Sequence, residues 1–260
     1  MTKLAVLMNC YNGEKFLRSS LDSIINQTFK DWTLYFFDNQ SNDNSKLIFK
    51  SYNDTRFKYF SFDRFLNLGQ ARKKAWSYIN SKYVVICDVD DYFHKDRFLN
   101  QIEFMENNIN YSVVGSAANI VDSNSNLITK IFYETQSKKL KNNIIFQHVF
   151  NSATLFFRKK DVDSVGGYNP EYQMVNDYDL LFRLSRVYDI ANLRDILVYN
   201  RQHNNNLSFQ NIVNGQLETL KLQLRIFFYI NKLHNRIILL KNILLTIMRI
   251  AYHYLKKYVQ

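Results

Sequence analysis

Three carboxylates stand close together at the end of an apolar run in the first half of the chain. Residues 83–87 are apolar and mostly β-branched, and Asp88, Asp90 and Asp91 follow directly. Side chains two positions apart in an extended segment point the same way, so Asp88 and Asp90 can reach one hard cation, with water and phosphate oxygens completing its coordination. The alternative from these residues alone is a strand that ends in a solvated acidic turn.

Polar residues follow two other apolar segments in the same way. A buried strand predicted over residues 4–10 ends at Tyr11-Asn12-Gly13, and a second over 32–37 ends at Asp38-Asn39. Further strands are predicted over 57–62 and 83–87, and helices over 14–27, 45–52 and 68–79. Strands that alternate with helices indicate an α/β chain with a mostly parallel sheet flanked by helices. Because ligands bind beyond the carboxyl ends of such strands, we expect these polar residues to converge on one site.

The pattern becomes mixed beyond Asp91. A helix is predicted over residues 96–106 and strands over 112–120 and 127–132, and a further apolar run covers 153–157. We expect residues 92–210 to supply the second half of a cleft. Residues 211–260 are expected to form a separate helical tail.

The composition is that of a globular chain. Of 260 residues, 47% are hydrophobic and proline occurs once, which excludes a disordered or collagen-like protein. Cys10 and Cys87 lack CxxC or metal-ligand spacing and are predicted to be reduced packing residues. The first residues are too few and too lightly flanked for a secretory signal, so a cytoplasmic protein is expected. The chain has no GxGxxG after the first strand and no P-loop sequence, which argues against dinucleotide-binding and P-loop proteins.

Positive charge is concentrated near the C-terminus. The net charge is +11, and +7 of it lies in the last 43 residues, where Glu218 is the one acidic residue. That asymmetry indicates an anionic partner, with phospholipid and nucleic acid as the two candidates. Lys241 and Arg249 leave the helical stripe of the preceding basic residues, so a helix break is predicted near 239–242. No apolar run is long enough for a spanning helix; the tail would lie on a membrane surface or pack on protein.

Four blocks of residues, in order along the chain, match the pattern of a known family. They lie within residues 4–28, 37–43, 67–91 and 166–184, and include Asp38-Asn39-Gln40-Ser41, Asp88-Val89-Asp90-Asp91 and Asn176-Asp177-Tyr178-Asp179-Leu180. With these blocks the chain resembles the family 2 glycosyltransferases over residues 1 to about 210. The resemblance implies a catalytic domain of GT-A type fold, with residues 1–91 as the nucleotide-sugar-binding half and 92–210 as the acceptor-side half.

The resemblance also implies which residues hold the donor. Tyr11 would stack on or near the nucleobase, while Asp38 and Asn39 would hydrogen-bond the edge of the base. Arg72 would lie near the donor phosphates, and Asp88 would help to hold the donor. Asn39 stands where the family usually has a second Asp, and an amide can donate as well as accept a hydrogen bond. A UDP-linked sugar is the expected donor.

Metal and catalytic roles follow from the same resemblance. Asp90 would ligate Mn²⁺ or Mg²⁺ that bridges the diphosphate, and His203, in a segment similar to the family's C-terminal Tyr-Arg-x-His, would be a further ligand. Such a cation would stabilise the negative charge that develops on the leaving nucleoside diphosphate. Asp177 is the predicted general base for the acceptor hydroxyl, in a displacement with inversion. Asp179 is a further candidate for substrate binding, with a capping or scaffold role as the alternative.

The predicted function is metal-dependent, inverting transfer of a sugar to a hydroxyl of a glycan or lipid-linked glycan, in surface polysaccharide or lipooligosaccharide biosynthesis. The protein is expected on the inner face of the cell membrane, held there by the tail. No nucleic acid is expected as a partner, because the aromatic residues follow strand and helix patterns without an RNA-binding motif. Two alternatives remain: an inactive relative that binds nucleotide-sugars, and a polyanion-binding protein with strongly salt-dependent affinity.

Overall fold

A mixed sheet of nine strands forms the centre of the molecule, as far as the described residues show. The computed structural model describes the backbone of residues 2–259 and the side chains of residues 2–253. The strands are β1 (Leu4–Cys10), β2 (Trp32–Asp38), β3 (Phe57–Ser61), β4 (Tyr83–Ile86), β5 (Tyr92–Phe93), β6 (Tyr111–Val121), β7 (Leu127–Ile131), β8 (Phe156–Arg158) and β9 (Asp189–Arg201). Their order is β3-β2-β1-β4-β8-β6-β9-β5, and β7 pairs with β6. The predicted α/β class is confirmed.

The parallel part of the sheet is the half that the sequence predicted in most detail. Strands β1, β2, β3 and β4 run parallel to one another. Strand β8 pairs antiparallel with both β4 and β6, while β6 and β9 are parallel. The apolar run at 153–157 therefore contains a strand of three residues whose neighbours are distant in sequence. A run that short cannot be assigned from periodicity alone.

Helices cover both faces of the sheet. They are α1 (Glu14–Ile25), α2 (Ser45–Lys50), α3 (Leu68–Ser77), α4 (Arg97–Asn107), α5 (Ser137–Asn143), α6 (Lys159–Ser164), α7 (Asn176–Ser185), α8 (Leu207–Gln210), α9 (Ile212–Tyr229) and α10 (Leu233–Val259), with a 3₁₀ turn at Ser152–Thr154. The side chains of β1 alternate between two cores, with Ala5 and Leu7 in the first and Leu4 and Val6 in the second. The first core includes residues of α3, α7, α9 and α10, and the second includes residues of α1 and α4.

The two long C-terminal helices each contribute one face to the first core. Leu222 of α9 and Leu239 and Ile243 of α10 belong to the first core. The predicted break near 239–242 is wrong, because α10 continues through these residues and the chain turns earlier. Ile230 adopts an extended conformation at the end of α9 and is itself buried. Burial of apolar residues, and not the spacing of basic ones, sets the phase of α10.

The opposite face of these helices is exposed and carries large apolar side chains. Phe228 is 79% exposed, Leu233 72% and Met248 66%. Lys256 and Lys257, which the sequence counts among the basic residues of the tail, lie outside the residues whose side chains are described. Within residues 2–259, none of the helices combines the length and the apolarity that crossing a bilayer requires.

Candidate active site

A pocket of about 490 Å³ opens beyond the carboxyl ends of β1, β2 and β4. Its volume is within the range of small-molecule sites. Parallel strands bring its residues together, because the loops that follow such strands meet at one edge of the sheet. Six of the residues predicted from the sequence line it: Tyr11, Asn39, Arg72, Asp88, Asp90 and Asp177.

The acidic loop after β4 is held in place by the end of β9. Asp91 is buried, and its carboxylate accepts hydrogen bonds from Asn200 Nδ2 at 3.0 Å and from the Arg201 backbone N–H at 2.7 Å. The Arg201 guanidinium donates to the carbonyl oxygen of Asp90 at 2.9 Å. Burial, with the Asp90 carboxylate nearby, raises the pKa of both Asp88 and Asp91. The carboxyl groups of this loop therefore disfavour one another's ionisation.

Asp90, which lines the pocket, contacts His203, which is not among the lining residues. His203 Nε2 is 3.1 Å from Asp90 Oδ2, and Asn206 Nδ2 donates to the same oxygen at 2.9 Å. The imidazole also rests against Phe16, with 4.9 Å between ring centroids. Carboxylate oxygens suit Mn²⁺ and Mg²⁺, so these residues fit part of a cation site. Because no three His, Cys, Asp or Glu side chains form a metal-binding group among the described residues, a cation would need further oxygens from a ligand or water.

A buried ion pair joins the two halves of the site. Arg72 Nη1 donates to Asp177 Oδ2 at 2.5 Å and to Asn176 Oδ1 at 2.7 Å. Arg72 Nη2 is 3.5 Å from Asp88 Oδ1, and Tyr168 Oη donates to Asp177 Oδ1 at 3.2 Å. Burial alone would lower the pKa of Arg72, but the neighbouring carboxylates raise it, so the guanidinium stays charged. The Asp177 carboxyl group is thus held from both sides.

Two contacts outside the pocket bring Arg72 and Asp177 together. A Cβ on Gly69, at the start of α3, would lie 2.0 Å from the carbonyl oxygen of Tyr172, so the chain can approach this closely only with glycine. From α9, the Glu218 carboxylate accepts hydrogen bonds from the backbone N–H groups of residues 173–175, the shortest at 2.7 Å. The sequence marked Glu218 only as an isolated acid in a basic tail. In the fold it holds the loop that leads into α7 and Asp177.

Tyr11 and Asn39 shape the outer end of the pocket. The Tyr11 ring is half exposed and meets Phe65 edge-on, with 4.9 Å between centroids. Asn39 binds the same loop, because its amide nitrogen donates to the Leu66 carbonyl oxygen at 2.7 Å and its amide oxygen accepts from the Leu66 backbone N–H at 3.0 Å. The result is an aromatic surface beside a polar, hydrogen-bonded wall.

Asp38 and Asp179 contact other residues of the protein and lie outside the lining of this pocket. Asp38 accepts hydrogen bonds from the Ser41 backbone N–H at 2.9 Å and from Tyr59 Oη at 2.6 Å, and it is not among the lining residues of the pocket. Asp179 Oδ2 pairs with Arg183 Nη2 at 2.7 Å, also outside the lining. Both carboxylates are buried and satisfied by the protein itself. The ion pair with Arg183 agrees with the scaffold role that the sequence left open for Asp179, and substrate binding stays a prediction.

The family of the chain follows from its sequence. The family model described as Glycosyl transferase family 2 matches residues 5–166, more than half of the chain. The chain belongs to glycosyl transferase family 2. The matched stretch runs from β1 to α6 and contains Tyr11, Arg72 and the acidic loop, whereas Asp177 and His203 follow it.

Two proteins illustrate the relatives of this family 2 chain. An uncharacterized glycosyltransferase of Methanocaldococcus jannaschii, MJ1057, is 30% identical over 69% of the chain and 63% of that protein. The Escherichia coli UDP-Glc:alpha-D-GlcNAc-diphosphoundecaprenol beta-1,3-glucosyltransferase WfgD is 27% identical over 47% of the chain and 48% of that protein. The chain therefore spans less than two thirds of the length of either relative.

A solved structure shares the architecture. Residues 1–349 of S. aureus TarS, in complex with UDP-GlcNAc, match with a TM-score of 0.68, covering 91% of the chain and 70% of that chain. The sequence identity is 17%, so the likeness shows the fold alone. The predicted GT-A type fold is confirmed.

Proposed function

We propose that this protein is an inverting glycosyltransferase that moves a sugar from a nucleoside-diphosphate sugar to a hydroxyl of a lipid-linked glycan, in the synthesis of a surface glycan. The observation that carries the proposal is the pocket in which the acidic loop faces the Arg72–Asp177 pair. The E. coli relative is named for a UDP-Glc donor and a diphosphoundecaprenol-linked acceptor, and TarS is seen with UDP-GlcNAc. These support a UDP-sugar donor and an acceptor carried on a polyprenyl diphosphate.

The donor would lie across the carboxyl ends of the parallel strands. Tyr11, half exposed beside Phe65, offers a ring face for the nucleobase. The wall formed by Asn39 would face the edge of the base. At the inner end, Arg72 and Asp88 would hold the diphosphate and the sugar.

The charge balance of the pocket supports a divalent cation. Four aspartates, Asp88, Asp90, Asp91 and Asp177, and one arginine are among its lining residues. We propose that Asp90 and His203 hold Mn²⁺ or Mg²⁺, with Asp88 close by, and that diphosphate oxygens and water complete the coordination. A cation bound there would stabilise the negative charge of the departing nucleoside diphosphate.

Asp177 is the proposed general base. Each carboxylate oxygen has two lone pairs, so Asp177 can take the proton of the substrate hydroxyl while it keeps its hydrogen bonds to Arg72 and Tyr168. The acceptor oxygen forms a bond to the anomeric carbon as the bond from that carbon to the diphosphate oxygen breaks. The electron pair leaves with the nucleoside diphosphate, and attack from the opposite face inverts the anomeric centre.

The test is release of nucleoside diphosphate from a panel of UDP- and GDP-sugars, with Mn²⁺, Mg²⁺ or a chelator. Asp177→Asn should lower kcat by about 10²–10⁴-fold with donor affinity retained. Asp90→Asn should remove the metal-dependent part of donor binding. Asp63→Asn is the matched control, because the Asp63 side chain is 98% exposed and outside the pocket lining.

The outcomes separate the alternatives. Metal-dependent donor binding without turnover by the wild type would favour an inactive nucleotide-sugar-binding relative. Failure of every donor to bind would contradict the proposal as a whole. Equal kcat values for wild type and Asp177→Asn would remove Asp177 from the role of base.

We also propose that the exposed face of α9 and α10 lies on an anionic membrane. Large apolar side chains are exposed there beside Lys232 and Lys241, a combination that suits the membrane interface. Each lysine near anionic lipid contributes about 1 kcal/mol, so Lys232→Glu with Lys241→Glu should weaken binding to phosphatidylglycerol vesicles at least roughly 30-fold. Equal sedimentation of wild type with neutral and anionic vesicles would contradict this placement.

A further inference from the structure

A second cavity adjoins Asp177 and is lined on one side by the C-terminal helices. Its volume is about 330 Å³, at the lower end of the range for ligand sites. Ser152, Met174 and Asp177 line both this cavity and the donor pocket. The proposed base thus borders both spaces. The remaining lining includes His148 from the segment before β8, Tyr178 of α7, Gln223 of α9, and Thr246 and Arg249 of α10.

Two residues of this cavity carry buried polar atoms that lack a hydrogen-bond partner. Among the described residues, neither His148 Nε2 nor Tyr178 Oη has one, although both atoms are buried. Tyr178 as a whole is 5% exposed, and its ring meets that of His148 edge-on with 5.7 Å between centroids. Leaving a buried polar group without a partner costs about 1–3 kcal/mol. Two such groups in one cavity give a bound ligand two positions at which to form hydrogen bonds.

The contacts of α9 and α10 hold the cavity walls in place. Thr246 Oγ1 of α10 donates to Gln223 Oε1 of α9 at 3.1 Å, and this contact is buried. Glu218 ties α9 to the loop before α7 through three backbone N–H groups. The two helices that line the cavity are therefore hydrogen-bonded to each other, and α9 is hydrogen-bonded to the segment that carries the base.

The lining offers hydrogen-bonding groups for hydroxyls and, at Arg249, a positive charge for an anionic group. His148 shares the cavity with Asp177, Tyr178 and Arg249. Burial lowers the pKa of His148, so its imidazole is neutral near pH 7 and can both donate and accept hydrogen bonds. Arg249 is exposed on α10 and brings a positive charge to the lining.

We propose that this cavity binds the acceptor as a glycosyl phosphate, with sugar hydroxyls bonded to His148 and Tyr178 and the phosphate in contact with Arg249. The inference rests on the proposed glycosyltransferase activity and names the site and chemical class of its second substrate. An acceptor hydroxyl would then meet Asp177 where Ser152, Met174 and Asp177 border both spaces, within reach of the donor sugar. The tail accordingly contributes to acceptor specificity.

Three acceptor probes test this assignment on the full chain with a donor that the wild type turns over. They are GlcNAc 1-phosphate, GlcNAc-diphosphate esterified to a short polyprenol, and octyl GlcNAc glycoside, which has no phosphate. Tyr178→Phe should raise the KM for the acceptor about tenfold, the effect of one hydrogen bond, and leave the KM for the donor unchanged. Because Tyr178 Oη has no partner in the described protein, thermal stability should not fall. Tyr172→Phe is the control, since Tyr172 is buried but outside the cavity lining.

Arg249→Gln tests the phosphate contact. This variant should raise the KM for the two phosphate-bearing probes and leave the KM for octyl GlcNAc glycoside unchanged. Comparison of the wild-type KM values for the two phosphate-bearing probes then shows whether the acceptor is a lipid-linked or a free glycosyl phosphate. Wild-type acceptor KM values in both Tyr178→Phe and Arg249→Gln would overturn the assignment. So would a wild type that releases nucleotide but responds to none of the probes, whereas failure to bind any donor would contradict the proposed function instead.

Discussion

Arg72→Met should strongly destabilise the protein. The change keeps the length of the side chain but removes the cation that lies 2.5 Å from Asp177 and 3.5 Å from Asp88. The side chains of Arg72 and Asp177 are 4% and 9% exposed, so water cannot replace the lost partner. Breaking a buried pair by removing one member costs about 3–5 kcal/mol. For a chain of this size that corresponds to a fall in Tm of roughly 6–20 °C.

The assay is urea unfolding of the wild type, Arg72→Met, Asp177→Asn and the double variant. The double variant should lose less stability than the sum of the single losses, by at least about 1 kcal/mol, because the two groups compensate each other. Arg72→Lys keeps the charge with fewer donors and should lose less than Arg72→Met.

The control for this prediction is an exposed ion pair. Lys221 Nζ lies 3.3 Å from Glu171 Oε2, and each side chain is 61% exposed, so Lys221→Met should cost under about 1 kcal/mol. Strictly additive losses in the double variant would refute the reasoning. So would a loss in Arg72→Met no larger than that in Lys221→Met.

Three further predictions concern the elements around the pocket. Gly69→Ala should destabilise the protein by about 3 kcal/mol, because the new Cβ would clash with the Tyr172 carbonyl oxygen. Gly215→Ala is the control and should stabilise the protein slightly, because a Cβ there makes only ordinary contacts in a helix. Equal melting temperatures for the two variants would contradict the close approach at Gly69. Glu218→Ala should lower kcat and reduce the free energy of unfolding by about 1–3 kcal/mol, because three backbone N–H groups lose their hydrogen-bond acceptor. An unchanged kcat would show that the contact between the tail and this loop does not affect catalysis. Because burial lowers the pKa of His148 from 6.5, the free energy of unfolding should fall as pH drops below that value, by up to about 1.4 kcal/mol per pH unit. His148→Gln should flatten this dependence when unfolding is measured between about pH 5 and 7. An unaltered slope would contradict the prediction.

Local patterns were sufficient for the first half of the fold and insufficient for the tail. The apolar runs of β1, β2 and β4 and the helical spacing of α1 and α3 are signals carried by neighbouring residues, and their observed bounds lie within a few residues of the predicted ones. The basic stripe of the tail was a poor guide to α10, because burial of Leu239 and Ile243 keeps that helix continuous. Exposed charges impose little on helix phase, whereas core contacts impose much.

Local sequence is sufficient to predict the family, the order of the first strands and helices, and the candidates Asp88, Asp90 and Asp177, since each stands beside a predicted strand end or within a motif. The partner that each polar group acquires depends on the tertiary fold. Arg72 and Asp177 are 105 positions apart, and Glu218 is 44 positions from Met174, so no local pattern links them. Asp38 likewise meets Tyr59, 21 positions away along the chain. Burial requires nearly every polar group to find a hydrogen-bond partner, and packing, not spacing along the chain, determines which partner is within reach.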